Sequence, residues 1–211
     1  MRTDQLPKGR HGLTREQVAD SQRTRLLRAT VELVTERGFG QVTLSDLVGR
    51  AGVARSTFYE YFADKQQCFL EAYDYASDRV IEYVLADGPP SPGEFATPVH
   101  AYVARLLALC IEEPTLVRLV AADAGGLGPA AAMRQRAARE RLADCLVAAR
   151  AFDVRDEPSL APISHLRAVA IVGAITEVLQ HTLSESGPDA LPALRPELTR
   201  ISLALLEAPP V

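Results

Sequence analysis

Residues 43–62 read TLSDLVGRAGVARSTFYEYF, and this stretch decides the fold of the N-terminal part of the chain. It predicts two short helices, over residues 44–51 and 54–62, joined by a tight turn at Gly52-Val53. Gly52 stands where the chain must adopt a left-handed conformation, and Ala51 is small where the two helices cross most closely. The pattern is typical of a helix-turn-helix, whose second helix enters the major groove of DNA. An ordinary helical hairpin has the same pattern, so residues outside this stretch must decide between the two.

The second predicted helix separates an anchoring face from an outer face. Phe58 and Phe62, at positions i and i+4, lie on one face and anchor the helix to a core. The outer face then carries polar side chains that can hydrogen-bond to base edges or phosphates, namely Arg55, Ser56, Tyr59 and Glu60. Glu60 is equally well explained as a solvated surface carboxylate.

Outside this stretch, apolar residues recur at helical spacing, and no run alternates as a strand would. Further helices are predicted over residues 14–37, 65–87, 94–112, 115–124, 130–152, 162–185 and 191–207. Residues 1–13 are polar and contain Pro7, Gly9 and Gly12, so we expect a flexible arm there. The sequence therefore predicts an all-α protein.

Composition and charge limit the classes of protein that the sequence permits. The net charge of −4 divides into +3 for residues 1–62 (ten Lys and Arg, seven Asp and Glu) and −7 for residues 63–211 (thirteen against twenty). A basic N-terminal part permits a nucleic-acid contact confined to it. No stretch free of charged residues exceeds ten residues, and the N-terminus has no apolar segment, so we expect neither a membrane span nor a secretory signal. Three dispersed cysteines suit a reducing compartment, which predicts a cytoplasmic protein.

A set of short motifs surrounds the decisive stretch at fixed spacing. The helix predicted over residues 14–37 closes with Glu-Arg-Gly-Phe at residues 36–39, and Val-Thr-Leu follows at 42–44. Ala-Gly-Val stands at 51–53, Thr-Phe-Tyr at 57–59, Tyr-Phe at 61–62, and a lysine at 65. Over residues 23–70 this pattern resembles the TetR family of bacterial transcriptional repressors. The resemblance implies a flexible arm over 1–13, a three-helix helix-turn-helix DNA-binding domain over 14–64, and a helical ligand-binding and dimerisation domain over 65–211.

The resemblance also implies which residues meet a double-stranded DNA operator. Thr43, Tyr59, Tyr61 and Lys65 match positions that contact the DNA backbone, and such contacts orient the protein without reading sequence. Base reading is then expected from Arg55, Ser56, Thr57 and Glu60. Tyr61 is also explained as an aromatic residue of the core.

The same resemblance implies a cavity for a largely apolar small molecule within the helices of residues 65–185. The inward candidates are Phe69, Tyr73, Tyr102, Leu106, Cys110, Met133, Cys145 and Phe152. Each is also explained as an ordinary core residue. Glu177 and His181 lie at i and i+4 and can pair with each other, but two side chains make a poor metal site, so we expect neither a metal nor a cofactor.

One helix is apolar on nearly all sides. Residues 168–175 read AVAIVGAI, so one side of this helix can face the core and the other needs a partner. We expect a homodimer whose interface contains Ala170, Gly173, Ala174, Leu194, Leu198, Ile201 and Leu205. A helix buried centrally in a monomer remains the alternative.

These features together predict a dimeric repressor that binds a palindromic operator and releases it on binding a small molecule. No residue set suggests a nucleophile with its base, a phosphate-binding loop or a metal centre, so we do not expect an enzyme. A helical adaptor that binds protein only, an activator, and a regulator that senses redox state through its cysteines remain open alternatives.

Overall fold

The computed structural model describes residues 15–85, 98–121, 128–156 and 161–207. Across these ranges the chain is helical and contains no strand, which confirms the all-α fold class. The predicted arm over residues 1–13 and the predicted break at residues 88–93 lie outside the described ranges.

The helices follow one another in the predicted order. They are α1 (Arg15–Arg37), α2 (Leu44–Ala51), α3 (Arg55–Tyr61), α4 (Lys65–Leu85), α5 (Pro98–Glu112), α6 (Pro114–Ala121), α7 (Pro129–Asp156), α8 (His165–Glu185) and α9 (Arg195–Glu207). Two short 3₁₀ segments, Phe39–Gln41 and Pro188–Leu194, lie between α1 and α2 and between α8 and α9.

Most helix ends agree with prediction within a few residues. Within the described residues, α7 continues four residues beyond the predicted end at 152. The last predicted helix, 191–207, is a 3₁₀ segment up to Leu194 and α-helical only from Arg195. Pro196 explains this, because a regular helix running from 191 would need the amide of residue 196 to donate to the carbonyl of residue 192, and proline has no amide hydrogen.

Two hydrophobic cores organise the described residues, and α4 contributes to both. The first core packs α1, α2 and α3 against the N-terminal half of α4, around Leu26, Leu47 and Phe58. It also takes in Leu116 of α6 and Ala131 of α7. The second core lies among α5 to α9 and the last turns of α4. The first core therefore continues across the predicted domain boundary after residue 64, and that boundary stays a prediction.

Helix α8 is long and apolar enough, by length and composition alone, to cross a membrane. This differs from the expectation that the chain contains no such segment. A core helix of a globular protein passes the same test, and α8 packs against α7 and α9. Only 22% of its most apolar 18 residues are buried within a single chain, so much of its apolar surface lacks a covering element among the described residues.

Candidate DNA-binding surface and internal cavity

A reciprocal pair of hydrogen bonds fixes the start of α2. The hydroxyl oxygen of Thr43 accepts from the backbone amide of Asp46 at 3.2 Å, and the Asp46 carboxylate accepts from the Thr43 amide at 2.9 Å. The Thr43 hydroxyl also donates to the same carboxylate at 2.6 Å. This capping box satisfies amides that the first turn of a helix otherwise leaves unpaired. Thr43 remains exposed at the helix N-terminus, where its predicted contact with a phosphate is sterically open.

The turn between α2 and α3 depends on Gly52. Its φ of 64° and ψ of 40° are left-handed, a conformation that other residues adopt at a cost. Its amide donates to the carbonyls of Gly49 and Val48, which ends α2. Across the turn, the guanidinium of Arg25 donates to the Gly52 carbonyl at 3.5 Å. Sequence reasoning missed Arg25, because nothing in the local pattern of α1 indicates that it reaches this turn.

Helix α3 is seated by two buried aromatic rings. Phe58 and Phe62 are buried with ring centroids 5.5 Å apart, as the i, i+4 pattern predicted. Tyr59 packs edge-on against Phe58 yet keeps 53% of its surface exposed. The other residues expected to read bases lie on the same helix, where Arg55, Ser56 and Glu60 are exposed and Thr57 is half-buried. Thus the two buried rings anchor α3 in the core, and its polar face is exposed to solvent.

Two of the predicted phosphate contacts have partners inside the protein. The Lys65 ammonium donates to the carbonyls of Phe39 and Val42, at 3.0 and 2.7 Å, and lies 4.3 Å from the centre of the Phe39 ring. These hydrogen bonds join α4 to the segment before α2, so the ammonium group is not free. The position of Lys65 in the sequence does not indicate these contacts. The half-buried Tyr61 donates from its hydroxyl to the Gln22 side chain at 3.3 Å. Tyr61 thus lies closer to the alternative role of a core aromatic.

Arg50 and Arg55 differ in whether a neighbouring carboxylate compensates their charge. Arg50 binds Glu32 at 2.8 Å and Glu36 through two hydrogen bonds of 3.0 and 2.9 Å, so its charge is already compensated. Arg55 makes no ion pair with a described residue and stands at the first position of α3. A guanidinium there can bind the edge of a guanine with two hydrogen bonds.

The capping box makes the stability of this surface dependent on pH. Hydrogen bonds from the Thr43 side chain and backbone, with a smaller contribution from Arg37, hold the pKa of Asp46 below its usual value of 3.8. A carboxylate with a lowered folded-state pKa stabilises the fold above its unfolded pKa, and that contribution is lost as the pH falls through the folded pKa. Asp46→Asn is therefore expected to flatten the loss of unfolding free energy as the pH falls below about 4, where the unfolded carboxylate begins to take up its proton.

The measurement for this prediction is urea unfolding at several pH values, followed by circular dichroism. Glu60→Gln, which removes an exposed carboxylate from α3, is the matched control. If Asp46→Asn and Glu60→Gln change the acid dependence equally, the capping box is not its source.

An apolar cavity of about 150 Å³ lies within the second core, between α4 and α9. Helices α4, α5, α6, α7, α8 and α9 all contribute to its wall. The α4 residues among them come from its last turns, namely Val80, Ile81, Val84 and Leu85. Cavities of this kind, apolar with a few polar groups, are the usual form of a small-molecule site.

The structure brings three of the predicted pocket residues together. Tyr102, Leu106 and Cys145 line the cavity. Cys110 is buried in the second core but is not part of the wall. The side chain of Phe152 is outside the described part of the structure.

The remaining three predicted pocket residues lie elsewhere. Phe69 and Tyr73 belong to the first core, where the Tyr73 hydroxyl donates to the carbonyl of Val120 at 3.2 Å. Met133 is 73% exposed on α7. The predictions for these residues correctly identified inward helix faces on α4 but not which of the two cores each face enters. For Met133, the apolar side chain lies on the outer face of α7.

Burial raises the pKa of all three thiols. The pKa reaches about 11 for Cys68, where Thr30 lies 3.2 Å from the sulfur, and about 11 for Cys110. Burial and the nearby Asp144 also raise the pKa of Cys145. Since the thiolate is the reactive form, these thiols stay protonated and poorly nucleophilic near neutral pH. This argues against the alternative of a cysteine-based redox sensor.

An apolar stripe on α8 is open to solvent in the single chain. Leu166 is 78% exposed, Ala170 is exposed, and no atom lies within 4 Å of where a Cβ on Gly173 would stand. Ala174 of α8 and three predicted residues of the last part of the chain are half-buried, namely Leu194, Ile201 and Leu205. Leu198 is different, because it is fully buried within one chain and packs in the second core. Because its side chain is buried within one chain, it offers no surface to a partner, which does not fit its predicted place in a subunit interface.

Within the described residues, no group of three or more His, Cys, Asp or Glu side chains is arranged to hold a metal ion. Glu177 and His181 are both exposed on α8. An exposed polar α3 packs on α1 and α2, and α4 joins this unit to a helical body with an apolar cavity; this is the architecture expected of a helix-turn-helix regulator.

Comparisons with known proteins agree with this class. Residues 26–72 match the model of a family described as bacterial regulatory proteins, tetR family. The transcriptional regulator AcuR of Cereibacter sphaeroides is 33% identical over 70 residues, which are 32% of this chain and 32% of AcuR. The match thus spans about a third of the length of this relative.

Two solved structures resemble nearly the whole chain. FadR of Bacillus subtilis, solved in complex with stearoyl-CoA, has a TM-score of 0.69 at 18% identity, covering 87% of this chain and 97% of FadR. A TetR family transcription regulator from Marinobacter aquaeolei has a TM-score of 0.65 at 22% identity, covering 90% and 98%. The family model thus matches the N-terminal region with its helix-turn-helix, and the two solved structures share the fold of nearly the whole chain, which confirms the resemblance to TetR-family transcriptional regulators seen in the sequence motifs.

Proposed function

We propose that the protein is a cytoplasmic repressor that binds a palindromic DNA operator as a homodimer and releases it when a small molecule fills the cavity. The observation that carries this proposal is the path of α4. Its first turn holds the segment before α2 through Lys65, and its last turns form part of the cavity wall. One rigid helix therefore joins the candidate DNA-binding surface to the candidate ligand site.

The coupling follows from linkage between two conformations. A ligand shifts the population only if it binds one conformation more tightly than the other. A molecule that wedges α4 away from α8 would favour an arrangement in which the two α3 helices no longer match the groove spacing. The operator must then weaken ligand binding by the same factor by which the ligand weakens operator binding.

Dimerisation is supported by the open apolar stripe of α8 and by the geometry of DNA. Exposed apolar surface of this extent on one helix is typical of an interaction site. Two helix-turn-helix units bind half-sites that lie roughly 34–36 Å apart on one side of the duplex, which a single copy cannot reach.

The test of DNA binding starts from duplexes selected from a random library by the wild-type protein. We expect a palindromic consensus, and an affinity that falls with salt because phosphate contacts release counterions. Arg55→Ala should weaken binding to the selected site by about 1–3 kcal/mol and leave binding to random DNA nearly unchanged.

Tyr59→Phe is the matched variant, because it removes only the exposed hydroxyl and keeps the packing on Phe58. It should weaken binding to selected and random DNA alike, as expected for a phosphate contact. Equal losses on both DNAs for Arg55→Ala would assign Arg55 to the backbone. A wild-type protein that selects no sequence at all would favour the protein-binding adaptor instead.

A further inference from the structure

We propose that the ion pair between Asp74 on α4 and Arg134 on α7 fixes the position of α4 against the helical body and so sets the spacing between the two α3 helices of the dimer. Asp74 and Arg134 are then positioning residues for operator recognition, although neither lies on the candidate DNA-binding surface. The inference rests on the proposed function, because it concerns how a dimer matches a palindromic operator.

The middle of α4 lies between the two hydrophobic cores. The last α4 residue of the first core is Ala76, and the first α4 residue of the second core is Val80. Apolar burial is non-directional, whereas hydrogen-bonded ion pairs have defined distances and angles. The polar contacts in the middle of α4 are therefore the ones that can fix where this helix stands relative to its neighbours.

An acidic stripe on one face of α4 binds arginines from two other helices. Positions 71, 74 and 78 follow the i, i+3, i+7 spacing of one helix face. The stripe joins α4 to α1 of the DNA-binding part at one end and to α7 of the body at the other. Its pairs are Glu71 with Arg23, Asp74 with Arg134, and Asp78 with Arg141.

Asp74 occupies its place in this stripe at a cost. Its side chain is 22% exposed, against 58% for Asp78, and its oxygen Oδ1 is buried with no hydrogen-bond partner among the described residues. Burial raises the pKa of Asp74 above its usual value of 3.8, although Arg134 and Arg141 favour the charged form. Replacing an ion pair that is removed from water by apolar side chains is often neutral or stabilising. Stability alone therefore does not account for a carboxylate at this position.

The partner helix connects this ion pair to the subunit interface. Helix α7 packs against α8, whose open apolar stripe is the proposed interface between two copies. The position of α4 against α7 therefore determines where α3 stands relative to the twofold axis. An operator presents its half-sites at a fixed separation, so it is bound well only by dimers in which the two α3 helices match that separation.

The experiment separates the spacing of the two α3 helices from the integrity of each one. Asp74→Leu combined with Arg134→Met, in the full chain, is titrated with the selected palindrome and with a duplex that carries one half-site. Affinity for the palindrome should fall about tenfold, as expected if only about one dimer in ten keeps the matched spacing. Affinity for the half-site should change by less than about twofold, because the contacts of α3 itself are unaltered. The urea midpoint should stay the same or rise.

A second ion pair on α4 provides the matched control. Arg79 binds Glu82 at 2.9 Å within the same helix, so this pair joins α4 to no other element. Arg79→Met combined with Glu82→Leu should change both affinities by less than about twofold. Palindromes with one base pair added or removed between the half-sites give a further readout. The wild-type protein should discriminate strongly against them, and the Asp74 and Arg134 double variant should discriminate less.

The inference is overturned if the double variant loses equal affinity for the palindrome and the half-site, or keeps wild-type affinity for the palindrome. If that variant does not fold, Asp74→Asn keeps the shape of the side chain and removes its charge, and the expected loss is about threefold on the palindrome alone. A wild-type protein that selects no palindrome refutes the proposed function itself. A wild-type protein that binds one, with variants that bind it equally well, refutes only the role of Asp74 and Arg134.

Discussion

Gly173→Leu is expected to turn the dimeric protein into a folded monomer and to weaken operator binding by about 10²–10⁴-fold. In a single chain, no atom lies within 4 Å of where a Cβ on Gly173 would stand, so a side chain can start from this position without a clash inside the monomer. If a second copy packs closely on α8, the new side chain pushes it away, and overpacking of this kind typically costs ~1–3 kcal/mol. A monomer has one DNA-binding unit and loses the avidity of the dimer, which raises operator affinity by about 10²–10⁴-fold.

Sedimentation and far-UV circular dichroism measure the oligomeric state and the fold of this variant. Gly49→Leu is the matched control, because Gly49 is also a helical glycine with no atom within 4 Å of a Cβ, but it lies on α2. Gly49→Leu should remain dimeric. A Gly173→Leu protein that stays dimeric, with unchanged operator affinity, would move the interface away from α8.

The helix-turn-helix was predictable because its determinants are local. The cap at Thr43, the left-handed Gly52 and the i, i+4 pair of Phe58 and Phe62 each depend on residues a few positions apart. Such signals specify backbone conformation before any tertiary contact forms. The exposure of Arg55 and Tyr59 follows directly from which face the two phenylalanines occupy.

The cavity was harder to predict, because helical periodicity identifies which face of a helix points inward but not which core or cavity that face lines. Phe69, Tyr73 and Val80 occupy inward positions along α4, yet the first two enter the first core and only Val80 reaches the cavity. Leu198 shows the same limit on α9, where an apolar stripe expected at the subunit interface includes a residue of the chain's own core.

Lys65 illustrates a second limit, which concerns where polar groups find partners. The two carbonyls that bind Lys65 belong to Phe39 and Val42, more than twenty positions earlier in the chain. These hydrogen bonds form only when α4 packs against the segment before α2, so a pattern of neighbouring residues does not contain them.

Phe58→Ala is expected to destabilise the whole protein by about 3–5 kcal/mol, a large fraction of the roughly 5–15 kcal/mol that holds a domain folded. The ring is fully buried and packs against both Phe62 and Tyr59, so its removal leaves a cavity that α3 cannot close. Operator binding should be lost as well, because α3 is then no longer anchored in the first core. Urea unfolding followed by circular dichroism measures the change in free energy.

The second part of the prediction concerns the number of transitions in that unfolding curve. Leu116 of α6 and Ala131 of α7 belong to the same core as Phe58, and α4 continues from this core into the cavity wall. We therefore expect one cooperative transition that shifts as a whole. Ile111→Ala, which removes an exposed aliphatic side chain from α5, should change stability by no more than about 0.5 kcal/mol. Two separate transitions in Phe58→Ala, with the cavity-bearing helices still folded after α1 to α3 unfold, would show that α4 does not couple the two parts. The route by which a ligand in the cavity reaches the DNA-binding surface would then have to lie outside α4.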